Sequence, residues 1–317
     1  MPENEQIARL SEFAHLVLGK YKLQVEAIES INYEYNATFK VTDVNAQNFA
    51  LRININSPRS AQNIRAEVAW VRNLITIEGI HTALPIANLV GEYITSLLHP
   101  QSGRELHCIL YSWLEGEEVG DEPTTEQLFV LGQTMAKLHI SSKDFVLPTD
   151  SQLPSFQDPF WETEDLLLSD TSKLTLVDKE LIAAAFARII TQTNALYVAS
   201  TPQVIHADLH GWNMMWHQGQ LSIFDFDDCG IGLPIQDIAT ALYYLDTPEQ
   251  DEALLSGYKS VIALPAHTQG DLDMLLLHRR LMLLNYLYET SNQEHQAMIP
   301  TYLEETLRRV KTFLQAS

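Results

Sequence analysis

The sequence predicts an α+β chain in two parts, a small antiparallel five-stranded sheet carrying one main helix, then a larger and mostly helical part. Three observations predict it. The first hundred or so residues break into short runs of alternating apolar residues with Asn and Gln between them. From Thr124 onward apolar residues instead recur at helical spacing over long segments. With 317 residues, 46% of them apolar, the chain is long enough to bury a core in each part. The boundary falls at the end of the last strand, giving domains 1–113 and 114–317.

Charge and cysteine usage narrow the classes of function. Twenty Lys and Arg against 41 Asp and Glu leave a net charge of −21, which excludes a nucleic-acid backbone as partner and suits a neutral or cationic one. Cys108 and Cys229 each lie in or beside an apolar run, and two such residues make neither a disulfide framework nor a zinc site. The opening MPENEQIARL lacks a basic and an apolar leader region, and no stretch reads as a membrane span. A cytoplasmic protein with no membrane association is the expectation. Nothing in the sequence speaks to oligomeric state.

The elements follow in order. Ile7, Leu10, Phe13, Ala14 and Val17 mark a helix over 4–18, ended by Gly19. Strands are predicted over 23–31, 37–44 and 48–55. A helix over 59–78 buries Ile64, Val68, Val71, Leu74 and Ile75, and Glu67 falls on that same face. A carboxylate there needs a partner, because an unpaired buried charge costs several kcal/mol or forces protonation. Arg52, between Leu51 and Ile53 in the third strand, is the candidate; a solvent-facing arginine is the plainer reading. Two further strands, 86–98 and 105–113, flank the turn HPQSGR. Glu115, Glu117, Glu118, Asp121 and Glu122 then form an acidic run, a solvated rim that would also attract a cation.

Helices are predicted over 124–139, 181–199, 248–262, 270–290 and 298–315, with a connector over 141–160. The last three carry Leu-rich faces and no new chemistry. Phe160, Trp161, Trp212 and Trp216 read first as core or interface aromatics.

The chemistry concentrates in residues 204–240, VIHADLHGWNMMWHQGQLSIFDFDDCGIGLPIQDIAT. An apolar run leads into a polar loop with His206, Asp208, His210 and Asn213. A hairpin turns at Gln218, Gly219 and Gln220, and Asp225, Asp227 and Asp228 follow. Alternation along an extended strand would put Asp225 and Asp227 on one side and Asp228 on the other. The order H-x-D-x-x-x-x-N, then an acidic strand end, fits phosphoryl transfer, in which an Asp accepts the proton of an attacking hydroxyl while oxygen ligands hold Mg²⁺. Taken singly, Asp208 and Asn213 could simply close a turn, and Asp237 could simply favour the start of the helix near Pro234. The role of His210 stays open.

At these residues the sequence resembles the aminoglycoside phosphotransferase and choline kinase family, and within it FDFDDCGIGLPIQDIA is most similar to the bacterial stress-response kinase A group, then to homoserine kinase type II. The resemblance implies a two-lobed protein-kinase-like fold with nucleotide in the cleft between lobes. It implies Asp208 as base, Asn213 and Asp225 as metal ligands, and Asp237 as a structural brace. On the nucleotide side it implies Arg52, paired with Glu67, where kinases usually place a lysine, and a hinge over 110–120 bringing in Tyr111 and Trp113. The turn INYEYNATFK occupies the place of a nucleotide-covering loop but has no glycine; Tyr35, Asn36 and Thr38 could cap phosphates by side chain, or form an ordinary hairpin.

These features predict a phosphotransferase dependent on ATP and Mg²⁺, acting on a hydroxyl of a small molecule or a protein Ser/Thr. A nucleotide-binding pseudokinase draws on the missing glycines and on Arg52. A hydrolase reading would gather His206, Asp208, His210 and Asp225 around a metal.

Overall fold

The computed structural model describes residues 3–33 and 35–316; Glu34 of the glycine-free turn lies outside them. Packing divides the chain into two units. The first runs through Glu118 and takes in two later segments, Phe145–Leu153 and Met214–Asp227. The second comprises Val119–Asp144, Pro154–Asn213 and the chain from Asp228 onward. A single boundary after residue 113 would leave both later segments in the other part. Strand pairing brings Met214–Asp227 into the first unit, and hydrogen bonds of Asp150 and Gln152 with Arg65, Asn63 and Gln62 bring in Phe145–Leu153.

The first unit opens with α1 (Glu3–Leu18), then β1 (Val25–Tyr33), β2 (Asn36–Asp43) and β3 (Asn48–Asn54). Next come α2 (Ala61–Leu74), β4 (Pro85–Ile86), β5 (Thr95–Leu98), β6 (Glu105–Ser112) and β7 (Glu117–Glu118). The sheet runs β1-β2-β3-β6-β4, with β5 also on β6, so it has six strands where five are predicted. The extra strand comes from the run over 86–98. Asn88 breaks it: its Oδ1 accepts from the backbone N–H of Val90 and Glu92, and Gly91 at φ +88° completes the turn. Phe13, Val17, Phe39, Val41, Leu51, Ile53 and Leu110 are fully buried against one another, packing α1 onto this sheet. Ser60 and Asn63 close a capping box on α2, which buries Ile64, Val68, Val71 and Leu74.

The second unit holds α3 (Thr125–Ser142), α4 (Leu176–Ala199) and β8 (Gln203–Ile205). After β8 the chain makes one 3₁₀ turn at Gly211–Asn213 and enters β9 (Met214–His217) and β10 (Gln220–Ile223), a hairpin of the first unit. There β9 pairs with β7, and Ile223 donates its N–H to the His81 carbonyl. Back in the second unit, β11 (Gly230–Gly232) pairs antiparallel with β8. The chain ends with α5 (Pro234–Tyr243), α6 (Pro248–Lys259), α7 (Gln269–Glu289) and α8 (Gln293–Gln315).

One expectation is corrected here. By length and composition α4, 24 residues long with a mean hydropathy of 1.3 over an 18-residue window, passes as a membrane-spanning candidate, although no such stretch is predicted. One face of it is used in this fold, since Ile182, Ala185, Phe186, Ile189 and Leu196 are buried within the unit, while Leu176, Val177, Ile190 and Val198 are exposed.

Candidate active site

The catalytic-type loop leaves β8 at Ile205 and is fixed from below by Asp237, in the first turn of α5. Asp237 Oδ1 accepts from the Ala207 N–H at 2.7 Å, and its Oδ2 accepts from the His206 N–H at 3.3 Å and pairs with His139 Nε2 at 2.9 Å. His139 is tied in turn to the Tyr258 hydroxyl at 2.9 Å. Asp237 is fully buried. Burial alone would raise its carboxyl, but the hydrogen bond and charge of His139, with His206 and the Ala207 N–H, outweigh it and hold the pKa below the usual carboxylate range. This bracing holds Ala207 at φ +67°, a left-handed backbone that a non-glycine residue adopts only when its surroundings over-determine it.

Asp208 follows directly. Its Oδ1 accepts from Arg279 Nη2 of α7, which also donates to the Tyr244 hydroxyl at 2.6 Å. Its Oδ2 accepts from Asn213 Nδ2 at 3.0 Å and lies 3.3 Å from His210 Nε2. Burial would raise this carboxyl too; Arg279 beside it, with His210, drives it well below the ordinary range. Asn213 donates a second time, to the Asp208 carbonyl at 2.8 Å. With its amide nitrogen so engaged, its oxygen faces away from Asp208, and an amide oxygen beside a carboxylate is the donor type a hard divalent cation takes. The loop also needs Gly211, because a Cβ there would sit 1.7 Å from the Gly120 carbonyl oxygen.

The first unit gathers a second polar cluster. Arg52 Nη2 donates to Glu67 Oε2 at 2.5 Å, with both side chains more than nine-tenths buried, and the Tyr111 hydroxyl donates to Glu67 Oε1 at 3.1 Å. Arg52 Nη1 lies 4.0 Å from Asp227 Oδ1. Burial would weaken the guanidinium, but the charges of Glu67 and Asp227 dominate and keep it firmly protonated. Asp227 Oδ2 accepts from Asn36 Nδ2 at 3.2 Å and Ser57 Oγ at 3.0 Å, and its carbonyl from Arg59 Nε at 2.8 Å. Among the described residues, buried Arg52 Nε, Asn36 Oδ1 and Asp227 Oδ1 take no hydrogen-bond partner. A cluster with a spare buried cationic N–H is suited to a phosphate oxygen.

Arg52, Glu67, Tyr111 and Asn36 therefore come together, as do Asp208 and Asn213. Trp113 does not join the arginine cluster; its ring lies under Lys40, 5.2 Å from the ammonium. Asp225 is exposed, at φ +58°, while Asp227 is drawn into the network. The expectation that period-two alternation puts both on one side fails because β10 ends at Ile223. Arg279, Tyr244, His139, Ser57 and Arg59 are absent from the sequence reading. Arg279 was open to the rule that finds Glu67, since it sits four residues after Leu275 and three before Met282 on an apolar helix face. Among the described residues no group of three or more His, Cys, Asp or Glu side chains could hold a metal, which counts against the hydrolase reading.

A sheet unit with a buried Arg–Glu pair and a helical unit with an H-x-D-x-x-x-x-N loop define a kinase-like phosphotransferase fold. Residues 30–270 match the model of the phosphotransferase enzyme family (APH), and the chain belongs to that family. It is 29% identical over 216 residues to the amicoumacin kinase of Bacillus subtilis (strain 168), covering 65% of this chain and 61% of that protein. The chain thus spans about three-fifths of the length of that curated relative. Among solved structures it resembles the amicoumacin kinase hAmiN in complex with AMP-PNP, Ca²⁺ and Ami, with TM-score 0.79, 21% identity, and 97% and 96% of the two chains covered. It also resembles a microcompartment-associated aminopropanol kinase, with TM-score 0.78, 22% identity, and 96% and 98% covered.

Proposed function

We propose that this protein transfers the γ-phosphoryl group of ATP, in the presence of Mg²⁺, to a hydroxyl of a small molecule. The observation that carries the reading is the state of Asp208: ionised, aimed by Arg279 and Asn213, and set on a loop that Asp237 braces. In this role Asp208 orients the acceptor hydroxyl and takes its proton as the bond to phosphorus forms. A strongly acidic carboxylate is a weak base, which suits a loose transition state that needs position more than deprotonation. Asn213 and Asp225 are the proposed metal ligands, and Mg²⁺ supplies charge neutralisation at the phosphates when bound. Arg52, set by Glu67 and Tyr111, meets nucleotide phosphate oxygens, with Asn36 beside it; Trp113 is assigned to the nucleotide on the resemblance of residues 110–120 to a kinase hinge.

A small-molecule acceptor rather than a protein Ser/Thr is supported by the relatives, whose names are those of an amicoumacin kinase and an aminopropanol kinase. A cytoplasmic location is supported by Cys108 and Cys229, buried thiols that form no disulfide, as suits a reducing compartment. The experiment is an ADP-release assay over a panel of hydroxyl compounds, aminopropanol and a generic protein substrate among them. Asp208→Ala is expected to lower kcat at least ~10³-fold with little change in nucleotide affinity, as for loss of a group acting mainly in the transition state. A variant that keeps full transfer would remove Asp208 from the reaction.

A further inference from the structure

The glycine-free turn of the first unit is held by polar contacts. Packing has little to offer at that end of the hairpin: Glu29, Ser30, Ile31 and Asn32 of β1 are exposed, and β1 and β2 close on the pair Tyr33 and Ala37. Hydrogen bonds take over there. The Tyr35 carbonyl accepts from the backbone N–H groups of Asn56 and Ser57, at 2.8 and 3.0 Å. Asn36, the first residue of β2, donates from its side chain to Asp227, 191 positions further along the chain.

Asp227 gathers more than the turn. The oxygen that takes the Asn36 amide also takes the Ser57 hydroxyl at 3.0 Å. That hydroxyl accepts from the Arg59 N–H at 3.2 Å, which leaves its hydrogen for the carboxylate. Arg59 Nε then donates to the Asp227 carbonyl at 2.8 Å. All of these residues belong to the first unit, as does Asp225 two positions earlier. A metal suits this carboxylate poorly. Oδ2 already serves two donors, and a divalent cation on Oδ1 would stand against the Arg52 guanidinium, whose Nη1 is 4.0 Å away.

We infer that Asp227 is the positioning residue of the nucleotide side: its carboxylate pins the glycine-free turn through Asn36 and the segment after β3 through Ser57, fixing both against the strand end that bears Asp225. A glycine-rich turn offers backbone N–H groups to a phosphate directly. A turn that caps phosphates by side chain binds well only if those side chains are already in place, because ordering them on binding would cost affinity. Asp227 supplies that order from the same short segment as a proposed metal ligand. Turn and Asp225 are thereby held in one frame.

Because this role rests on the phosphotransferase reading, exchange and nucleotide binding are measured without turnover. Hydrogen–deuterium exchange of the nucleotide-free protein would be followed over residues 35–38 and 56–59, and Mg²⁺-dependent binding of AMP-PNP by calorimetry. The proteins are wild type, Asp227→Ala, Asp227→Asn and Asn36→Ala. Asp227→Ala should speed exchange in both segments at least ~10-fold and leave residues 48–53 unchanged. It should weaken AMP-PNP about 10-fold, the effect of two modest hydrogen bonds. Asp227→Asn keeps an oxygen for the two donors, with its nitrogen on the Oδ1 side, and should stay within about 3-fold of wild type in both readouts. Should Asp227→Ala fail to fold, Asn36→Ala must by itself speed exchange over 35–38. Overturning results are unchanged exchange, Asp227→Asn as damaging as Asp227→Ala, or a Mg²⁺ requirement that rises in Asp227→Asn, which would make Asp227 a metal ligand. ADP release is scored separately. If wild type turns over no acceptor while the exchange and binding pattern holds, the activity reading fails and Asp227 stands as the residue that holds the turn; transfer without the pattern removes Asp227 alone.

Discussion

At the residue scale the behaviour of Asp208 turns on one cation. Burial and Arg279 act on its carboxyl in opposite directions, and Arg279 prevails. Arg279→Met takes the charge away and leaves burial opposed by the His210 and Asn213 hydrogen bonds and the charges of His210 and His206. The carboxyl pKa then rises, and the acid limb of the kcat/KM profile moves to higher pH, with kcat/KM at neutral pH falling about 10²-fold from loss of aim. A pH–rate profile of the variant checks this; an unmoved acid limb would mean that Arg279 does not set the ionisation of Asp208. Glu67 offers a parallel case. Glu67→Ala strands Arg52 without its closest counter-charge in a buried site, and a stability loss of about 3–5 kcal/mol is expected by urea unfolding, with a raised KM for ATP.

At the scale of elements, the close crossing of α3 and α6 depends on two glycines. A Cβ on Gly132 would stand 2.0 Å from the Leu254 carbonyl oxygen, and one on Gly257 would stand 1.9 Å from that of Phe129. Both atoms belong to helix backbone, which cannot rotate aside as a side chain can. The crossing also holds Tyr258 of α6 against His139 of α3, and through His139 it reaches Asp237 under the catalytic loop. Gly132→Ala is therefore expected to destabilise the protein by about 1–3 kcal/mol, the usual cost of overpacking. Scanning calorimetry would read this as a Tm lower by several degrees, at about 2–4 °C per kcal/mol. An unchanged Tm would show that the helices separate without cost.

For the whole molecule, charge sets the response to pH. The surplus of 41 acidic over 20 basic residues repels itself at neutral pH, and mild acidification relieves it. Asp208 and Asp237 pull the other way. Their folded pKa values are depressed, so their contribution to stability is complete above the ordinary carboxylate pKa and is lost as pH falls below it. Tm should rise as pH is lowered from neutral, pass through a maximum on the acid side and then fall. Raising salt from about 20 mM to about 200 mM should lift the neutral limb more than the acid one, since exposed charges are screened and buried pairs much less. A Tm that falls steadily from neutral pH downward would deny the repulsion.

Periodicity, composition and motif spacing by themselves determined the two-part α+β order, four strands of the first sheet, the Arg52–Glu67 pairing and the loop with Asp208 and Asn213. These are legible because they rest on local spacing or on one rule, that a charge on an apolar face needs a partner. The tertiary structure alone decided that the hairpin after Asn213 packs with the first unit, that Asp227 turns into the Arg52 cluster while Asp225 stays exposed, and that Arg279 holds Asp208. Asp208 and Arg279 lie 71 residues apart, and no local pattern encodes which of several helices brings a cation to a given carboxylate. That choice follows from how apolar faces pack, and packing is settled by the fit of whole side chains.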